Sequence, residues 1–234
     1  MSMDSSPDPS SSSKEAGPRQ IIPYLLPIFV FLGLTSLESY FPAPRWYPIA
    51  YSVKVLIVAL LLWYYRGTWR DLKPAPRLSA IVLAISSGLI VYVLWVSLEG
   101  WYPAFAFLGK RTGLDPSTLP PGWKWPFIAV RFCGLVLLVP LLEELFWRSF
   151  LIRWLIDPDF LKVPIGRVTP MAAGISSVVF ALSHPEWLPA LCTGLLWAWL
   201  LWQTKSLSAC VISHAVANLA LAIHVLATGD WKYW

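Results

Sequence analysis

Residues 126–150 read PFIAVRFCGLVLLVPLLEELFWRSF. The run is apolar apart from Arg131, Glu143, Glu144 and Arg148, and at about 1.5 Å per residue a helix of this length exceeds a hydrocarbon core of roughly 30 Å. A backbone inside lipid must satisfy its own hydrogen bonds, so the run is expected to be a membrane helix. The rest of the chain repeats the pattern. Of its 234 residues 57% are hydrophobic and 13% charged, and mean hydropathy is +0.60. A soluble globular chain carries roughly 25% charged residues. This supply cannot cover a water-facing surface, which excludes a soluble enzyme, a nucleic-acid-binding domain and a disordered protein.

Seven spans are expected, near 21–39, 47–65, 78–98, 126–150, 168–185, 187–203 and 207–227, giving an all-α polytopic bundle. Residues 1–20, rich in Ser and Pro, read as a disordered tail and 21–234 as one membrane domain. No basic stretch runs directly into the first apolar segment, so it is kept as a span and not read as a secretory signal. The stretch from Gly100 to Trp125 holds no run long enough to cross and reads as an interfacial loop or short surface helix. Many of the 15 Trp residues lie near span ends, where amphipathic rings prefer the headgroup level. Cys133, Cys192 and Cys210 fall inside apolar runs without CxxC spacing and read as small buried hydrophobes.

The net charge of +5 belongs to loops. With the N-terminus in the cytoplasm, Lys14, Arg19, Arg66, Arg70, Lys73, Arg77, Arg153, Lys162, Arg167 and Lys205 lie inside. Only Arg45, Lys110, Arg111, Lys124 and Lys232 lie outside. The positive-inside rule therefore places the N-terminus in the cytoplasm and the chain in a cell (inner) membrane. The bilayer is the expected partner, and nucleic acid is not.

Ionisable groups within spans cost about 2.5–3.5 kcal/mol each and usually face a cavity or a partner. Lys54 and Arg131 sit near span ends, where a long side chain can reach the headgroups. His224 reads as a hydrogen-bonded structural histidine. Three clusters read differently. The first is Glu143, Glu144 and Arg148 after Pro140. Glu144 and Arg148, four apart, form a natural ion pair on one helix face. Glu143 is rotated by about 100° and left for another role. The second is Phe180 with His184, and the third His214 with Asn218, again four apart. Three spans would thus send polar groups into one pocket. As drawn, Glu143 lies towards the cytoplasm and His184 towards the outside. A pocket therefore requires the fourth helix to run past Arg153 or the fifth to start mid-membrane.

Glu-Glu-x-x-x-Arg, Phe-x-x-x-His and His-x-x-x-Asn on successive membrane helices resemble the CPBP family. That family comprises the type II CAAX prenyl endopeptidases and the bacteriocin-processing and immunity proteins called Abi proteins. The resemblance covers roughly residues 125–227, and Pro140 also fits it. It implies an intramembrane endopeptidase in which Glu143 and His184 activate a water and His214 and Asn218 donate to the oxyanion. Glu144, Arg148 and Phe180 would support them.

The same residues allow a zinc site of Glu143, His184 and His214 with an open water position. The chain has no H-E-x-x-H, each ligand would come from a different span, and Asn is a poor zinc ligand. A metal-free reaction is therefore expected, on a peptide or protein substrate in the membrane. A non-catalytic immunity or scaffold protein of the same fold is the alternative, although a scaffold has no need of both His motifs. A proton or solute transporter is a third, which the absence of repeats and paired broken helices opposes. The compact chain with short loops looks bacterial, where a prenylated substrate is not expected.

Overall fold

The computed structural model describes residues 17–38, 40–41, 45–109 and 113–233. Among these residues all regular structure is helical. Seven principal helices follow in order: α1 Pro18–Glu38, α2 Tyr47–Tyr64, α3 Leu78–Ser97, α4 Lys124–Trp154, α5 Pro170–Leu182, α6 Trp187–Thr204 and α7 Leu207–Thr228. Five of them, α1 to α4 and α7, are long and apolar enough to cross a membrane. The chain is a multi-pass membrane protein. Most of the expected N-terminal tail, residues 1–16, lies outside the described residues, and α1 already begins at Pro18. The Gly100–Trp125 stretch carries two short 3-10 turns, Ala106–Leu108 and Pro116–Thr118.

Two of the expected spans differ from their drawn bounds, and both differences move the polar groups towards each other. α4 has 31 residues, about 46 Å at 1.5 Å each, so Glu143 lies well inside it. α5 has only 13 residues, about 20 Å at the same rise, and is too short to cross. Its start is fixed locally: the Thr169 hydroxyl accepts from the Ala172 N–H at 3.2 Å, with Pro170 at the first helical position.

α4 is the axis of the bundle. α1 and α2 pack together and against one side of it, while α5 and α7 meet the other side. α3 lies on α6 and α7, and α5 pairs with α6. Lipid gives helices no hydrophobic reason to associate, so close backbone approach matters more than in water. Gly88 lets α3 lie against α7: a Cβ there would stand 2.4 Å from the Ser213 carbonyl oxygen. Gly194 does the same for α6 on α5, where a Cβ would be 2.8 Å from Ser177 Cβ. The largest apolar cluster, with Trp147, Phe180 and Trp197, fills the space between α4, α5, α6 and α7.

Candidate active site

Glu143, His184, His214 and Asn218 line one cavity of about 310 Å³, together with Phe180, Trp95, Thr193, Trp197 and Tyr233. The four polar groups come from three regions of the bundle. Glu143 comes from the middle of α4, and among the described residues it has no hydrogen bond or ion pair. His184 follows the last turn of α5, where its Nδ1 lies 2.8 Å from the Phe180 carbonyl oxygen. A carbonyl only accepts, so Nδ1 carries the proton and the basic lone pair sits on Nε2. The ring is further held against Phe180, with centroids 4.5 Å apart, and edge-on to Trp95 at 5.8 Å. His214 and Asn218 share one face of α7.

Glu144 does not line the cavity, contrary to a simple convergence of all five polar groups. It is fully buried behind it. Its Oε1 accepts from His214 Nδ1 at 3.0 Å and from Arg148 Nη1 at 3.3 Å, and Arg148 Nε stands 3.2 Å from Oε2. The i, i+4 ion pair is thus present, and the same carboxylate also orients the His214 imidazole. Arg148 lies between two aromatic faces, 4.9 Å from the Phe180 centroid and 5.0 Å from that of Trp197. Trp197 in turn stacks on His214 at 4.3 Å and donates from Nε1 to Ser213 Oγ at 2.9 Å. Arg148 and His214 are thereby locked by the same ring. Asn218 donates through Nδ2 to the Leu135 carbonyl of α4 at 2.7 Å, which leaves its second N–H for another acceptor.

Two histidines and a carboxylate on one cavity raise the question of a metal. Among the described residues no group of three or more His, Cys, Asp or Glu is placed to hold an ion. His214 gives Nδ1 to Glu144, which leaves its Nε2 for another partner, and the neighbouring Asn218 amide is a weak metal donor. Cys133, Cys192 and Cys210 are free thiols at exposed, half-buried and buried positions respectively.

Sequence reasoning misses the aromatic frame and places two cations wrongly. Trp197 is one tryptophan among fifteen, and no spacing marks it as the plate under His214. Tyr233, beyond α7, lines the cavity and packs edge-on to His224 at 6.1 Å. Lys54 and Arg131 do not reach outward. Lys54 is buried in an ion pair with Glu38 at 2.6 Å, and its Nζ also donates to Thr35 Oγ1 at 3.1 Å. Arg131 is buried with Nη1 donating to Tyr47 Oη at 2.7 Å and its guanidinium 4.8 Å from the Tyr51 ring. Glu38, the last residue of α1, is the partner that a span-by-span reading leaves out. His224 meets its expectation, with Nδ1 3.1 Å from Tyr92 Oη.

Residues 124–220 match the family model described as Type II CAAX prenyl endopeptidase Rce1-like. The motif-bearing segment is similar to that family. The match begins at the first residue of α4 and ends two residues past Asn218, so it holds all four polar groups of the cavity wall. It excludes α1, α2, α3 and Tyr233, which also line the cavity or support its walls. No curated protein and no solved structure matches the chain. The Rce1-like family is a protease family, in agreement with the resemblance carried by the three motifs.

Proposed function

We propose that the chain is an intramembrane endopeptidase that hydrolyses a peptide bond with a water activated by Glu143 and His184, without a metal. The observation that carries this reading is the cavity itself. A carboxylate without a partner among the described residues, an imidazole with its basic nitrogen set by a backbone carbonyl, and two donor groups line one cavity inside a membrane bundle.

Glu143 takes a proton from the water while His184 Nε2 orients it, and the water oxygen bonds to the carbonyl carbon. The developing oxyanion is met by the second N–H of Asn218 and by His214. Because His214 Nδ1 already donates to Glu144, its donation comes from Nε2, and Glu144 balances the charge of a ring protonated at both nitrogens. Glu143 then returns the proton to the amide nitrogen as the C–N bond breaks, releasing an amine and a carboxylic acid. Glu144, Arg148 and Trp197 act through His214, and Phe180 through His184. The basic-loop count supports a cell (inner) membrane location with the N-terminus in the cytoplasm, and the substrate is a peptide or protein reaching the cavity within the bilayer.

The test compares membrane proteomes from cells carrying the wild-type protein and the Glu143→Gln variant. Peptides cut only in the wild-type sample support the reading. Identical cleavage patterns, with both proteins present at equal levels, overturn it.

A further inference from the structure

α4 is not a uniform helix. Over Cys133–Leu138 it widens into a π turn, and the Val139 N–H reaches the Gly134 carbonyl five residues back. In that register the next rung would run from residue 140 to the carbonyl of Leu135. Residue 140 is proline, which has no N–H and whose ring crowds the preceding turn. The widening relieves the crowding, and the missing donor leaves the Leu135 carbonyl without its backbone partner. A buried carbonyl needs a donor, and Asn218 Nδ2 of α7 supplies one at 2.7 Å.

A carbonyl cannot donate, so it accepts only the NH2 end of the Asn218 amide. That bond settles which way the amide faces. Were the amide turned over, its oxygen would point where an N–H is needed, and it would repel an oxyanion.

We propose that Pro140 is a positioning residue: by withholding an N–H it reserves the Leu135 carbonyl for Asn218 and so fixes the amide as a donor towards the cavity. The functional consequence rests on the proteolytic reading, but the bond itself does not. Replacing Pro140 by any residue with an N–H gives the Leu135 turn a competing backbone donor. The helix gains a hydrogen bond and loses the ring clash, so stability is not reduced, while Asn218 loses its anchor.

Asn218 is the only asparagine in the sequence, so 15N-asparagine labelling of the full chain in micelles yields one side-chain amide pair. In the wild type, one proton of the pair is shifted strongly downfield and exchanges slowly with solvent. In Pro140→Ala the two protons draw together and exchange at least tenfold faster, while the melting temperature holds or rises. Val139→Ala, which keeps its N–H, leaves the pair unchanged. Peptide cleavage by Pro140→Ala falls in kcat with little change in KM. An unchanged amide pair overturns the proposal, and so does early melting, because an added backbone bond does not unfold a helix. If the wild type cleaves no peptide while the amide pair responds as stated, proteolysis is wrong and the positioning stands.

Discussion

Glu143 and Glu144 are adjacent, both buried, and chemically identical, yet they should fail in different ways. The decisive perturbation is Glu144→Gln. It leaves Arg148, 2% exposed, with two aromatic faces but no carboxylate, and breaking a buried pair from one side costs about 3–5 kcal/mol. For a chain of this size each kcal/mol moves the melting temperature by about 2–4 °C, so the variant should melt roughly 6–20 °C early in detergent. Arg148→Met should melt early too, since Glu144 then keeps only His214 as a charge partner. The double variant removes both charges and should lie above the sum of the singles by a coupling of about 1–3 kcal/mol. Glu143→Gln breaks no bond among the described residues and should melt close to wild type. Activity separates them less, because Glu144→Gln also releases the His214 ring. The assay is therefore a thermal melt of all four variants and the wild type beside a cleavage measurement on each folded sample. Early melting of Glu143→Gln, or a double variant worse than the two singles combined, would refute the division of labour.

Asn218→Ala should lower kcat by about 10²–10³, the usual cost of one oxyanion donor, and a cleavage rate within a factor of two of wild type would remove Asn218 from that role. Gly88→Ala should push α3 off α7, because its Cβ would meet the Ser213 carbonyl beside His214; the expected result is a lower melting temperature and reduced cleavage, measured together. Asp71→Asn should destabilise by about 3 kcal/mol or more, since Asp71 Oδ2 holds Arg153 at 2.8 Å along with Tyr24 and Ser149, yet the folded fraction should keep its kcat. Activity should survive a strong chelator, and loss that zinc restores would reverse the metal-free reading.

The helices are legible in the sequence because a bilayer leaves the backbone few choices, and a long apolar run has no other stable form there. The three motifs are legible because residues four apart share a helix face, so that His214 and Asn218, or Glu144 and Arg148, pair on paper. Contact between helices is not legible in the same way. Spacing assigns Glu144 to Arg148 on its own face, but its bond to His214 joins positions seventy residues apart. Lys54 stands in the middle of α2 and Arg131 about two turns into α4, and spacing alone does not distinguish solvent from a protein partner as the relief for either charge. Only the packing of α1, α2 and α4 decides for the partner. The length of α5 is hidden for a related reason: Pro170 and the Thr169 cap start the helix late, and it ends at Leu182, before Ser183, His184 and Pro185, so the expected span 168–185 runs past both of its ends.

Charge inside the bundle is therefore a poor guide to chemistry, because most of it is structural. Three buried clusters occur along α4. Arg131, near its start, meets Tyr47 of α2, beside the Lys54–Glu38 pair that ties α2 to α1. Glu144 and Arg148, further along, engage His214 of α7. Arg153, near its end, engages Asp71, which also binds Tyr24 of α1. Each cluster joins helices that lipid alone would not hold together, and in each the carboxylate is spent on a cation. Glu143 differs from all of these carboxylates. It is carried by the same helix into the same apolar surroundings, it has no cation of its own among the described residues, and it lines a cavity of about 310 Å³. A carboxylate placed at such cost without a structural partner has its compensation in what enters the cavity, and that marks Glu143, ahead of every other charge in the spans, as the residue on which the proposed hydrolysis depends.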